Sequence, residues 1–170
     1  MNDLKLYDNF PAWIVFIANA VTILLYGLGL FICFRLHWII GVLYLLYITS
    51  MELRLVSRHC VNCYYYGKIC GFGKGWFSAK IFPKGDISHF CTREMSWKDM
   101  IPDMLVVLIP LIGGIILLIH DFNWLVLIGI FIIILLTTFG NSFVRGSLSC
   151  QYCKQRILGC PAEKLFEKEK

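Results

Sequence analysis

The sequence predicts an all-α integral membrane protein: four transmembrane helices in two tandem hairpins, an internal duplication, with a cysteine-rich metal site on the cytoplasmic side. Three observations predict it. The apolar fraction is 58% and the mean hydropathy +0.70, well above soluble usage. Four long apolar stretches are joined pairwise by very short connectors, with one long polar segment between the pairs. Six cysteines form two triads of identical spacing, C-x2-C-x6-C, offset by 90 residues.

A bilayer core is crossed by about 20 apolar residues in helix. Residues 12 to 34 supply 23 without a charge, ending at Arg35, and form the first span. One basic residue, Lys5, precedes it and no small-residue cleavage site follows, so it reads as a retained helix and not a signal peptide. The second span begins near Trp38 and is uncharged only to Met51. It reaches full length through Leu53, Leu55 and Val56, which brings Glu52 and Arg54 close to an interface. Met104 to Ile119 is the third apolar run and Trp124 to Val144 the fourth, with Asn141 its one strongly polar member. The connectors Arg35 to His37 and His120 to Asn123 are short enough to join antiparallel neighbours. Helices are the expected spanning form, because hydrocarbon leaves backbone polar groups no water to bond.

The 90-residue offset of the cysteines also brings residues 12 to 56 onto 103 to 144 within a few positions. Two repeats are therefore expected, residues 1 to 90 and 91 to 170, each with two spans and one triad. Two spans per repeat preserve orientation, so the halves should be parallel about an axis along the membrane normal.

Orientation follows from Lys and Arg, which concentrate in cytoplasmic loops. Lys5, the eight basic residues from Arg54 to Lys98 and the six from Arg145 to Lys170 share one face, and only Arg35 lies on the other. Both termini are expected in the cytoplasm of a cell-membrane protein. The net charge of +5 suits anionic headgroups; the expected partners are the bilayer and a cytoplasmic protein or a second copy, and not nucleic acid.

In a cytoplasmic setting thiols stay reduced, so repeated cysteines point to metal before disulfides. Cys60, Cys63 and Cys70 follow the second span, and Cys150, Cys153 and Cys160 the fourth. A C-x2-C turn lets two thiolates reach one ion, and structural zinc takes four nitrogen or sulfur ligands, so each triad is one ligand short. Sharing between triads resolves the shortfall. His59 beside Cys60, and Cys91 in the long loop, are candidates for a fourth ligand at the first triad, whereas the second triad has no evident equivalent. Cys33, inside the first span, reads as a lipid-facing or packed side chain and not as a ligand.

This spacing resembles the binuclear zinc cluster of fungal transcription factors, in which two C-x2-C-x6-C halves share six thiolates between two zinc ions. The resemblance covers residues 60 to 70 and 150 to 160 only. It implies Cys60 and Cys150 as bridging ligands, with Cys63 and Cys70 completing one zinc and Cys153 and Cys160 the other. Here two membrane spans separate the halves, so only coordination is carried over, not DNA binding. An iron-sulfur cluster also uses thiolates, and Cys160-Pro161 is similar to the Cys-Pro that closes bacterial ferredoxin motifs, although the C-x2-C-x2-C run is absent.

The functional expectation is a membrane metal-binding protein carrying structural zinc. The alternatives are an iron-sulfur or thiol-based electron-transfer component and a metal ion transporter. Glu52, Arg54, Asn141 and Arg145 are polar groups near membrane depth, where such groups are functional suspects; snorkelling, ion pairing or bonding across helices also accounts for them. The sequence has no phosphate-binding loop, no G-x-S-x-G and no H-E-x-x-H, which leans away from an enzyme. The loop from Gly71 to Asp103 mixes Trp76, Phe77, Ile81 and Phe82 with Lys74, Lys80 and Lys84 and reads as interfacial. Ser96 to Asp99 matches a capping box, Pro110 with Gly113-Gly114 a kink, and Pro161 to Lys170 a short charged helix.

Overall fold

The computed structural model describes residues 6–92 and 97–160, with side chains described from Met100 onward in the second stretch. The capping box at Ser96 to Asp99 and the charged tail from Pro161 lie outside the residues so described. Among the described residues the α-helices are, in order, α1 Ala12–Leu36, α2 Trp38–Arg58, α3 Lys74–Ile81, α4 Ile87–Thr92, α5 Trp97–His120 and α6 Trp124–Leu135. The helical path beyond α6 continues as wider π-type turns, Leu136–Gly140 and Phe143–Ser149. Among the described residues the sole β pairing is the isolated bridge between Tyr7 and Cys153. Four helical stretches of the described chain are long and apolar enough to cross a membrane: Ala12–Leu36, Trp38–Asn62, Met100–His120 and Trp124–Tyr152. All four expected spans are thus helical, and the second and fourth run on to the cysteine turns.

The chain divides into two compact units, and neither is a contiguous half. One gathers residues 20–52 and 97–142, the other 1–19, 53–96 and 143–170.

The first of these units is the apolar one. Its core is Cys33, Tyr44, Ile48 and Val106, with Tyr26, Leu30, Tyr47 and Ile109 packed against them. Cys33 is buried there, which decides for packing over a lipid-facing position. Close approach rests on small residues, as it does in membrane bundles. A Cβ on Gly29 would meet the Tyr44 ring, and one on Gly114 would lie 2.8 Å from Ile130 Cδ1. Where no Ser or Asp opens a helix, other acceptors take over. The His37 Nδ1 accepts the Ile39 amide at 3.2 Å, and Asn123 accepts that of Leu125 at 2.8 Å. Pro110, fully buried in α5, has no N–H to give the Val106 carbonyl one turn back. The Tyr44 hydroxyl donates to that carbonyl at 2.8 Å.

The second unit is built on aromatic packing and on satisfied helix ends. Phe10, Ile14 and Tyr65 form its core, with Tyr7, Cys63, Cys70, Leu148 and Cys153 packed around them. The last carbonyls of α2 find side-chain donors: Ser78 Oγ to Val56 at 3.1 Å and Asn62 Nδ2 to Arg58 at 2.9 Å. In α3, Gly75 and Ser78 are buried while Trp76, Phe77 and Ile81 are exposed, and Lys80 lies 3.7 Å over the Trp76 ring.

Candidate metal centre

All six triad cysteines belong to the same compact unit. Each triad opens with the same local structure. After α2 a 3-10 turn covers Cys60–Asn62, and after the fourth long helix a 3-10 turn covers Cys150–Tyr152. The residues entering them, His59 at φ −102° and Ser149 at φ −106°, share one conformation, and Cys63 and Cys153 leave them extended. The Cys63 amide donates to the Cys60 carbonyl at 3.3 Å, and the Cys153 amide to the Cys150 carbonyl at 3.2 Å.

The match extends to sulfur. The Tyr65 amide bonds the Cys63 thiol, and the Gln155 amide, at the equivalent position 90 residues on, bonds the Cys153 thiol, joined there by the Arg156 amide. Amides aimed at sulfur favour its charged form. Burial opposes them and is the larger effect: it pushes the Cys63 thiol up to about 12 and the Cys153 thiol up to about 11. Both are therefore neutral thiols at pH 7 until something takes the proton.

The two triads are neighbours. Cys63 has Cys153, Cys70 and Cys160 as electrostatic neighbours, and Cys153 has Cys150 and Cys160. Cys63, Cys70 and Cys153 pack against the same Phe10–Ile14–Tyr65 cluster. Among the described residues, which include all eight cysteines, there is no disulfide. Among the described residues no three His, Cys, Asp or Glu side chains form a ready ligand shell for one ion.

Several contacts tie the second triad to the first and to the N-terminal segment. The Tyr65 hydroxyl donates to the Tyr7 carbonyl at 2.7 Å and accepts the Lys154 amide at 3.0 Å. Burial pushes that phenol upward, so it stays a neutral donor. Gln155, buried, accepts the Tyr64 amide at 2.8 Å and donates to the Cys91 sulfur at 3.5 Å. Asp8 holds Lys154 at 2.6 Å and accepts from the Tyr64 hydroxyl at 3.0 Å; these two bonds hold its carboxyl below the usual carboxylate range. A Cβ on Gly71, the residue after Cys70, would lie 2.6 Å from Ser149 Oγ, the hydroxyl before Cys150. That Ser149 hydroxyl is buried and has no hydrogen-bond partner among the described residues. An orphaned donor flanked by both triads fits a thiolate, which accepts hydrogen bonds that a thiol takes weakly.

The remaining sequence candidates are distributed. Cys91 lies beside Gln155 and Gly159 of the second triad's loop, and His59 immediately precedes the first turn. Glu52 accepts a hydrogen bond from Tyr26 at 2.8 Å, a partner no sequence pattern singled out. Arg54 is half-buried, Asn141 is exposed, and the Arg145 guanidinium lies 5.8 Å over the Phe72 ring. Sequence reasoning also passed over Gln155, Ser149 and Asp8. Each is a polar residue whose importance comes from what folds against it. Comparison with protein families, curated proteins and solved structures returns no match to this chain.

Proposed function

We propose that this chain is a multi-pass membrane protein whose two cysteine triads hold zinc at the cytoplasmic face, as a structural clamp that presents a surface to a cytoplasmic partner or second copy. The observation that carries the reading is the pair of matched turns, each with an amide from two residues ahead bonded to its second cysteine. Six thiols in two equivalent turns suit two divalent ions sharing ligands, because either triad alone falls short of tetrahedral zinc. The duplication and the cytoplasmic location of both termini belong to the same proposal and rest on the 90-residue offset and the charge asymmetry. Thiols held neutral by burial are poor nucleophiles, which disfavours thiol exchange, whereas a coordinating divalent cation itself displaces the thiol proton.

Metal analysis with an absorption spectrum on detergent-purified protein tests it. About two zinc ions per chain and no visible absorbance are expected. Iron with acid-labile sulfide would replace the proposal by electron transfer, and protein free of metal would overturn it.

A further inference from the structure

A cleft of about 540 Å³ opens beside the first cysteine turn, lined by Arg58, His59, Asn62, His89, Phe90 and Thr92. Its volume falls in the range that holds small ligands. Among the described residues no carboxylate lines it. Asp86, at the entry to α4, accepts the Ser88 amide at 2.9 Å and has His89 as a weaker electrostatic neighbour. The Arg58 side chain is exposed and has no ion pair or hydrogen bond among the described residues. Asn62 directs its amide into the same end of α2, where it donates to the Arg58 carbonyl and so removes an acceptor that would repel an anion. A guanidinium, two imidazoles and an amide around one apolar wall, Phe90, match an anion that carries several acceptor oxygens and a less polar body.

Position narrows the chemistry. Ser57 to Asn62 are the last residues of a helical stretch apolar and long enough to span a membrane. A cationic cleft at the foot of such a span lies at the depth of lipid phosphates. We infer that the Arg58–His89 cleft binds a phosphoryl group, supplied by an anionic lipid headgroup or by a soluble phosphate. The site uses none of the triad thiols, and its one overlap with the zinc reading is His59, a candidate fourth ligand at the first triad.

Calorimetry on the full-length protein in non-ionic detergent tests this with two probes, dihexanoyl phosphatidic acid and inorganic phosphate. Saturable binding of the phosphatidate with little affinity for inorganic phosphate supports a headgroup site, and comparable binding of both supports a soluble phosphate. Either must weaken by about tenfold or more in Arg58→Gln, as loss of a charge-assisted bond requires. His89→Gln, at an exposed position on another helix, provides a second reading should Arg58→Gln fold poorly, with a loss of about threefold or more. Absence of binding by both probes, or binding that neither substitution alters, would overturn the inference. Zinc content measured on the same samples separates this result from the fate of the cysteine site.

Discussion

At the scale of single residues, the centre is defined by groups whose ordinary preferences are held in check. Ser149 keeps a buried hydroxyl unpartnered among the described residues, at a cost of about 1–3 kcal/mol. Ser149→Ala should therefore stabilise the metal-free protein by about 1 kcal/mol and at the same time weaken zinc retention in a chelator competition. Loss of stability with unchanged retention would show the hydroxyl to have no part in the site. Asp8 behaves oppositely. Its folded pKa is depressed by Lys154 and Tyr64, so its contribution is present above the ordinary value of 3.8 and is lost as pH falls through and below it. Thermal melts of wild type and Asp8→Asn should differ modestly at pH 7, because the pair is exposed, and should converge in acid once the pH has fallen through the depressed folded pKa of Asp8. A difference that persists in acid would exclude the ion pair as its source. None of these three polar roles, with Gln155 the third, was readable in advance. A lone Ser, Asp or Gln becomes significant only when the chain brings a partner, or leaves one out.

At the scale of elements, proline and tyrosine act together. The sequence reading at Pro110 is a kink; the structure adds that Tyr44 of α2 bonds the carbonyl that Pro110 cannot serve. Tyr44→Phe should cost about 1 kcal/mol in a detergent unfolding titration. On a Pro110→Ala background, where the restored backbone amide would take over the Val106 carbonyl, the cost should largely vanish. Additive effects would mean that Tyr44 stabilises by packing alone. The cysteine turns were legible in outline, since C-x2-C implies a tight reversal. Their shared conformation, and the amides donated to Cys63 and Cys153, required coordinates. Helix ends were unevenly legible: α5 starts at Trp97, within the Ser96–Asp99 stretch read as a capping box leading into the third span, whereas the fourth stretch carries its helical path on past Val144.

At the scale of the whole molecule, the prediction concerns sidedness. With fifteen of sixteen Lys and Arg assigned to one face, the connector at His120 to Asn123 should face outward. Asp121→Cys in intact cells should react with a membrane-impermeant maleimide, whereas Cys150, exposed in the structure, should react only after the cells are opened. Labelling in the reverse order would invert the topology and return the triads to an oxidising side, where disulfides become the better reading.

By itself the sequence determined the helical class, the four apolar stretches and the repeated triads, because hydrocarbon length and thiol spacing are one-dimensional quantities. Tertiary structure decided which distant segments share a unit. Residues 1–19, 53–96 and 143–170 collect into one body although long helices intervene, so the two triads become neighbours and the N-terminal Tyr7–Phe10 segment packs among them. No periodicity encodes that convergence. It arises from aromatic burial around Tyr65 and from donors that find acceptors more than fifty residues away, as the Tyr65 hydroxyl does at Tyr7 and the Tyr64 amide at Gln155.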